Sequence, residues 1–199
     1  MNCFVVYPEV KDKATTVVLI HEIFGLTDWA QAMADELAAE GYIIIAPDLL
    51  SGSTTNDGGT EELIKSGGNV GNAIQALPPA QITADLGAAV DYATKLPASN
   101  GKVVVAGFCW GGGQSFRLAT DNKDIKAAFV FYGTPPGAGD MTRINCPVYG
   151  FYAGNDARVT YDGAGHGFMR AGEAPDASDA NKKARDAAFQ RTVELLKKI

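Results

Sequence analysis

The residues best suited to chemistry lie in GFCWGGG, 107–113, where a thiol and an indole stand among four glycines. Gly107-Phe108-Cys109-Trp110-Gly111 fits G-x-C-x-G, a nucleophile elbow with cysteine in place of serine, set between the apolar run KVVV and a segment able to form a helix. The flanking glycines answer a steric need, because a strained strand-to-helix turn leaves no room for side chains there. A helix N-terminus beyond Cys109 lowers a thiol pKa, and its free N–H groups can hold an oxyanion. The competing reading is a buried apolar cysteine beside a helix-packing glycine run, and the strand-elbow-helix order weighs against it.

A nucleophile needs a base, and the chain has two histidines. His166 lies in the glycine-rich stretch YDGAGHGF, 161–168, after the elbow; His21 ends the first strong apolar run. The hydrolase order of nucleophile, acid, then histidine selects His166 as base and leaves His21 to organise its loop through hydrogen bonds. Between Cys109 and His166 stand Asp121, Asp124, Asp140, Asp156 and Asp162. Asp156, in Gly154-Asn155-Asp156 after the apolar run 148–152, stands at a strand's carboxyl end, where a histidine-orienting acid belongs; the competing reading is a surface turn residue. The loop after Ile20 is where the second oxyanion donor arises, which pairs the N–H of Ile23 with that of Trp110. Glu22 adjoins that donor. Its carboxylate either disfavours a thiolate and takes the thiol proton, or serves a buried ion pair.

These groups need a scaffold, and the apolar runs supply one. TTVVLI (15–20), YIIIA (42–46), KVVVA (102–106), AAFVFY (127–132) and VYGFY (148–152) lack alternation, the pattern of strands covered on both faces of a parallel sheet. Between them, Thr27-Asp28 can cap WAQAMADELAAE and Gly41 can end it. Ile82, Leu86, Ala89, Val90, Ala93 and Leu96 recur at helical spacing until Pro97, and a last helix spans about 178–199. The Gly, Ser and Thr-rich segment 51–73 reads as a loop or short excursion. The alternation predicts a single α/β domain over 1–199, with a mainly parallel sheet flanked by helices in three layers and its site at the carboxyl ends of the strands.

Composition narrows the partners. The 199 residues are 46% hydrophobic with a net charge of −6, and no basic stripe exists to neutralise phosphates, so nucleic acid is not expected. No apolar run reaches the length of a membrane span, and no charged and apolar leader opens the chain. Cys3, Cys109 and Cys146 form neither a zinc pattern nor a disulfide framework. The expectation is a cytoplasmic protein without membrane, metal or cofactor, a monomer or small homo-oligomer acting on a small molecule.

HEIFGL at 21–26, APDLL at 46–50, GFCWGGG at 107–113, YAGNDARV at 152–159 and YDGAGHGF at 161–168 together resemble the dienelactone hydrolase family of α/β-hydrolases, from about Phe4 through Arg170 and into the last helix. The resemblance implies Cys109 as nucleophile, Asp156 and His166 as the rest of a triad, and Ile23 and Trp110 as oxyanion donors. Glu22 becomes the resting partner of the thiol and takes its proton when substrate arrives. Arg170, placed shortly after the histidine, becomes the ligand of a substrate carboxylate. Phe24, Tyr132 and Phe168, at or beside strand-end loops, line an acyl pocket or belong to the core.

Two departures qualify this. The family has a second arginine before the helix that precedes the elbow strand, whereas 52–85 holds Lys65 and no arginine. The family also puts a helix and a strand between acid and histidine, where this chain has only Ala157 to Tyr161, too few for a parallel crossover. Either the fold is shortened there and lacks its last strand partner, or a segment is missing from the sequence; as the sequence stands, 148–152 and 159–162 can instead pair as an antiparallel hairpin around Gly154-Asn155-Asp156. The activity implied is hydrolysis of small esters or lactones through an acyl-enzyme. Acyl transfer, or a degenerate member that binds a small acid or senses oxidants through Cys109, are the other readings.

Overall fold

The apolar runs form the middle of one sheet in the computed structural model, which describes residues 1–53, 58–154 and 161–199. Strands β1 (Cys3–Val6), β2 (Ala14–Ile20), β3 (Ile43–Pro47), β4 (Ser99–Phe108), β5 (Ile125–Phe131) and β6 (Val148–Phe151) lie in the order β1-β3-β2-β4-β5-β6. Every neighbouring pair is parallel except β1 with β3, where Cys3 stands opposite Pro47 and Val6 opposite Ile44.

The continuous apolar character of the strands has a direct cause. Val17, Leu19, Ile44 and Val104 face one core while Val18, Ile20, Ile43, Val103 and Val105 face the other, so both sides of each strand are covered. Helix α1 (Asp28–Ala39) closes the first core with Met33 and Leu37, and α8 (Asp179–Leu196) with Ala184, Ala188 and Leu195. On the opposite face, α4 (Pro79–Lys95) contributes Ile82, Leu86 and Val90, and α5 (Trp110–Asp121) contributes Leu118 and Ala119. The result is the three-layer α/β arrangement that the alternation predicts.

Local signals set the helix ends. Thr27 takes the extended backbone of an N-cap, although its side chain makes no capping bond. Gly41, at φ +98°, donates its N–H to Ala38 O at 2.9 Å and turns the chain into β3. Pro79 opens α4, where its missing N–H would have been unpaired in any case. Ser178 caps α8 by accepting from Asn181 N.

The Gly and Ser-rich excursion contains two short helices, α2 (Thr60–Lys65) and α3 (Val70–Ala76). Two further short turns of helix are α6 (Ala138–Met141), joined through Arg143 to Asp121 at the end of α5, and α7 (Phe168–Ala171), which follows the histidine loop. Among the described residues no helix is long and apolar enough to cross a membrane.

The hairpin expected after β6 is corrected by the pairing observed. Ala153 and Tyr161 form one isolated parallel bridge, with Gly154 N donating to Tyr161 O at 2.8 Å, rather than an antiparallel ladder. The returning chain passes so close that a Cβ on Gly154 would stand 3.0 Å from Asp162 Cα. A bare glycine at 154 thus admits the close parallel contact.

Candidate active site

Backbone packing forces the thiol out at the end of β4. A Cβ on Gly107 would lie 2.0 Å from Gly111 O, one on Gly111 2.3 Å from His21 O, and one on Gly112 2.7 Å from Phe131 O. Only hydrogen fits at these points, so the turn draws β2, β5 and α5 together. Cys109 occupies it at φ +53°, ψ −115°, tied by its N–H to Phe131 O at 3.0 Å. A non-glycine residue held there stores on the order of 1–3 kcal/mol of strain.

The sulfur meets the histidine loop. His166 Nε2 lies 3.3 Å from Cys109 Sγ, its ring set edge-on to Tyr132 at 5.1 Å between centroids. Gly167 at φ +76° and a bond from Gly165 N to Asn181 Oδ1 of α8 shape the loop. Burial pushes the Cys109 thiol above its ordinary pKa, and the charge of Glu22 adds to the effect. The backbone N–H groups of Trp110 and Ile23 reach toward the sulfur and favour its anion, as does the Arg170 charge. The site therefore holds a protonated thiol with the donors for an anion already in place.

Glu22 is 3% exposed, and both of its oxygens are engaged. Oε2 accepts from Arg170 Nε at 2.9 Å and Oε1 from the Tyr132 hydroxyl at 3.3 Å. The Arg170 guanidinium also covers the Phe24 ring at 4.8 Å. Tyr132, at φ +44°, is buried, and that burial together with the Glu22 charge holds its phenol well above the usual range, so it stays a donor.

His21 ties the neighbouring loops. Leu49 N donates to Nε2 at 3.3 Å, which leaves the ring hydrogen on Nδ1, donating to Glu22 O at 2.8 Å. Burial lowers its pKa and keeps it neutral. Asp48 accepts from Leu50 N, Thr60 N and Thr60 Oγ1, and Thr60 Oγ1 accepts from Leu26 N, fastening α2 over the loop 21–26.

Cys109, His166, Ile23, Trp110, Glu22 and Arg170, all singled out from the sequence, thus meet at one end of the sheet. Asp156 lies outside the described residues. Phe24 is exposed beside Arg170, whereas Phe168 is fully buried and meets Tyr132 edge-on. Two roles escape sequence reasoning: the Tyr132 hydroxyl on Glu22, and the His21 bond to Leu49, which spans two strand-end loops. An open groove of about 730 Å³ runs past Arg170 between Trp29, Glu173, Ser178 and Asn181.

Comparison with known proteins gives this arrangement a context. Residues 1–162 match the model of the dienelactone hydrolase family. A protein of Salmonella typhi named "Putative carboxymethylenebutenolidase" is 30% identical over 171 residues, covering 80% of this chain and 62% of its own length. One of Escherichia coli K12 with the same name is 30% identical over 154 residues, 72% of this chain and 55% of its own. The chain therefore spans about three fifths of the length of these two relatives. In structure, "Putative Dienelactone Hydrolase" from Klebsiella pneumoniae superposes with a TM-score of 0.79 at 23% identity, covering 99% of this chain and 92% of that one. A dienelactone hydrolase-like promiscuous phosphotriesterase, P91, from metagenomic libraries superposes at 0.74 with 24% identity, covering 98% and 91%. At such identities these likenesses show the α/β-hydrolase fold.

Proposed function

The chain belongs to the dienelactone hydrolase family, and from that premise we propose that it is a cysteine-dependent hydrolase of small esters or lactones. The observation that carries this reading is the 3.3 Å approach of His166 Nε2 to Cys109 Sγ on a strained elbow whose sulfur faces two backbone N–H groups. A merely structural cysteine has no use for that combination.

In the proposed reaction Cys109 Sγ attacks the carbonyl carbon while its proton passes to His166 Nε2. The carbonyl π pair moves onto oxygen, which takes the N–H donors of Ile23 and Trp110 in place of the sulfur. The tetrahedral adduct collapses, the alkoxide leaves with the proton from His166, and a thioester remains on Cys109. Water then attacks the thioester, His166 takes its proton and returns it to the departing sulfur, and the acid is released. We assign Asp156 the part of orienting the His166 ring.

Glu22 governs the resting state. With its charge beside the sulfur the thiol stays protonated, which limits alkylation and oxidation. We assign the thiol proton to His166 Nε2, 3.3 Å from the sulfur, rather than to Glu22, whose carboxylate holds Arg170 and the Tyr132 hydroxyl. Phe24 and Tyr132 are proposed to flank the acyl group, with Phe168 behind them. Lacking a second arginine in 52–85, the chain is assigned to simpler esters or lactones than the dienelactones. A working thiol suits a reducing compartment such as the cytoplasm.

The test is hydrolysis of p-nitrophenyl acetate and a small lactone by the wild type, Cys109→Ala and His166→Ala, with mass spectrometry of the quenched protein. Loss of turnover in both variants and an acetyl adduct on Cys109 are expected. Unchanged turnover in Cys109→Ala would overturn the reading. A thiol that reacts with iodoacetamide in a protein without ester turnover would instead favour a binding or sensing role.

A further inference from the structure

Resting on that hydrolase reading, we infer that His21 is a positioning residue that aims both oxyanion donors at the reacting carbonyl. Its side chain is wholly buried and links three segments at the carboxyl end of the sheet. Nδ1 donates to Glu22 O at 2.8 Å, Nε2 accepts from Leu49 N at 3.3 Å, and the ring stacks on the Trp110 indole, with centroids 5.8 Å apart and planes within 13°.

The Glu22 carbonyl and the Ile23 N–H are the two ends of one planar trans peptide and point in opposite directions. A bond that fixes the carbonyl therefore fixes the direction of the Ile23 N–H, toward Cys109. The ring stack restrains the residue that supplies the second donor. Close packing of Gly111 on the carbonyls of Ile20 and His21 leaves the two donor segments no independent movement. The Leu49 N–H completes the device, because it holds Nε2 as an acceptor and so keeps the hydrogen on Nδ1, the only tautomer that can grip Glu22 O.

The test compares the full wild-type chain with His21→Phe and His21→Asn. Phenylalanine keeps the stacked ring but makes neither bond; asparagine places an amide nitrogen near the Nδ1 position, able to donate to Glu22 O. His21→Phe is expected to lower kcat for p-nitrophenyl acetate by about 10²-fold, the loss seen when one oxyanion donor is removed. KM should change by less than about threefold, and His21→Asn should recover at least roughly tenfold in kcat. Alkylation by iodoacetamide forms no oxyanion, so its limiting rate at high pH should be unchanged. The midpoint of its pH profile should move upward in His21→Phe as the donors turn from the sulfur, while Glu22, Arg170, Tyr132 and His166, the titratable and charged groups around it, are unaltered.

A folded His21→Phe with kcat within about twofold of wild type, equal losses in Phe and Asn, or an unmoved thiol midpoint would each overturn the inference. If the phenylalanine variant does not fold, His21→Leu gives the same comparison against His21→Asn. Absence of Cys109-dependent hydrolysis in the wild type would sink the hydrolase reading alone. The thiol midpoint would still decide whether His21 holds the two N–H groups on the sulfur.

Discussion

Replacing Gly111 by alanine would put a methyl group where two backbone oxygens leave no room. The new Cβ would stand 2.3 Å from His21 O and 2.4 Å from Ile20 O. To regain 3.0 Å, the end of β2 and the first turn of α5 must part by roughly 0.7 Å, and neither oxygen belongs to a side chain that can rotate away. Overpacking at one such contact costs about 1–3 kcal/mol, and two rigid partners put Gly111→Ala near the top of that range. For a domain of this size the melting temperature should fall by about 6–12 °C. The same displacement separates the Trp110 and Ile23 donors from the carbonyl, and misplacement on the order of 1 Å lowers rates by about 10²-fold. Calorimetry and kcat/KM for p-nitrophenyl acetate measure the two effects. Gly113→Ala is the control, because its Cβ would meet Thr134 Oγ1 at 3.2 Å, a side-chain atom able to move. Retention of kcat/KM within about threefold in Gly111→Ala, or equal damage in Gly113→Ala, would refute the packing account.

Three further outcomes are expected. Glu22→Gln removes the negative charge that raises the Cys109 thiol, so the thiolate fraction grows and iodoacetamide should inactivate the variant faster than wild type at neutral pH. Asp48→Ala strips the acceptor from Leu50 N, Thr60 N and Thr60 Oγ1, and leaving these donors unpaired in a buried site should destabilise the fold by about 2–3 kcal/mol in urea titration. Gly87→Ala, within α4 and with nothing within 4 Å of the new Cβ, should stabilise by about 0.5–1 kcal/mol and leave turnover unaltered.

What the sequence disclosed follows from where each signal is stored. Burial on both faces writes itself into unbroken apolar runs, and β2 to β6 were legible for that reason. The elbow was legible because steric exclusion leaves glycine as the only choice at 107 and 111. Strand β1 escaped notice because CFVV is a four-residue edge, half-exposed and antiparallel, with nothing to distinguish it from an extended terminus. The pairing of Tyr132 with Glu22 and of His21 with Leu49 joins residues brought together only by the sheet order, and no local periodicity records such contacts. The parallel bridge at Ala153 was missed for a related reason: loop length argues about strands, while a single bridge needs only one close approach at Gly154.

In the proposed reaction the N–H groups of Ile23 and Trp110, which favour an anion on the Cys109 sulfur in the resting protein, pass to the developing oxyanion. Sulfur is a large, weak acceptor, so on that proposal it is a placeholder that surrenders the donors readily to a developing oxyanion. For inhibitor chemistry this separates two classes of compound. A ligand that offers an anionic oxygen but no electrophilic carbon must compete with a tethered occupant that never diffuses away. A compound whose carbonyl is attacked enlists that occupant as its covalent partner and vacates the position for its own oxygen.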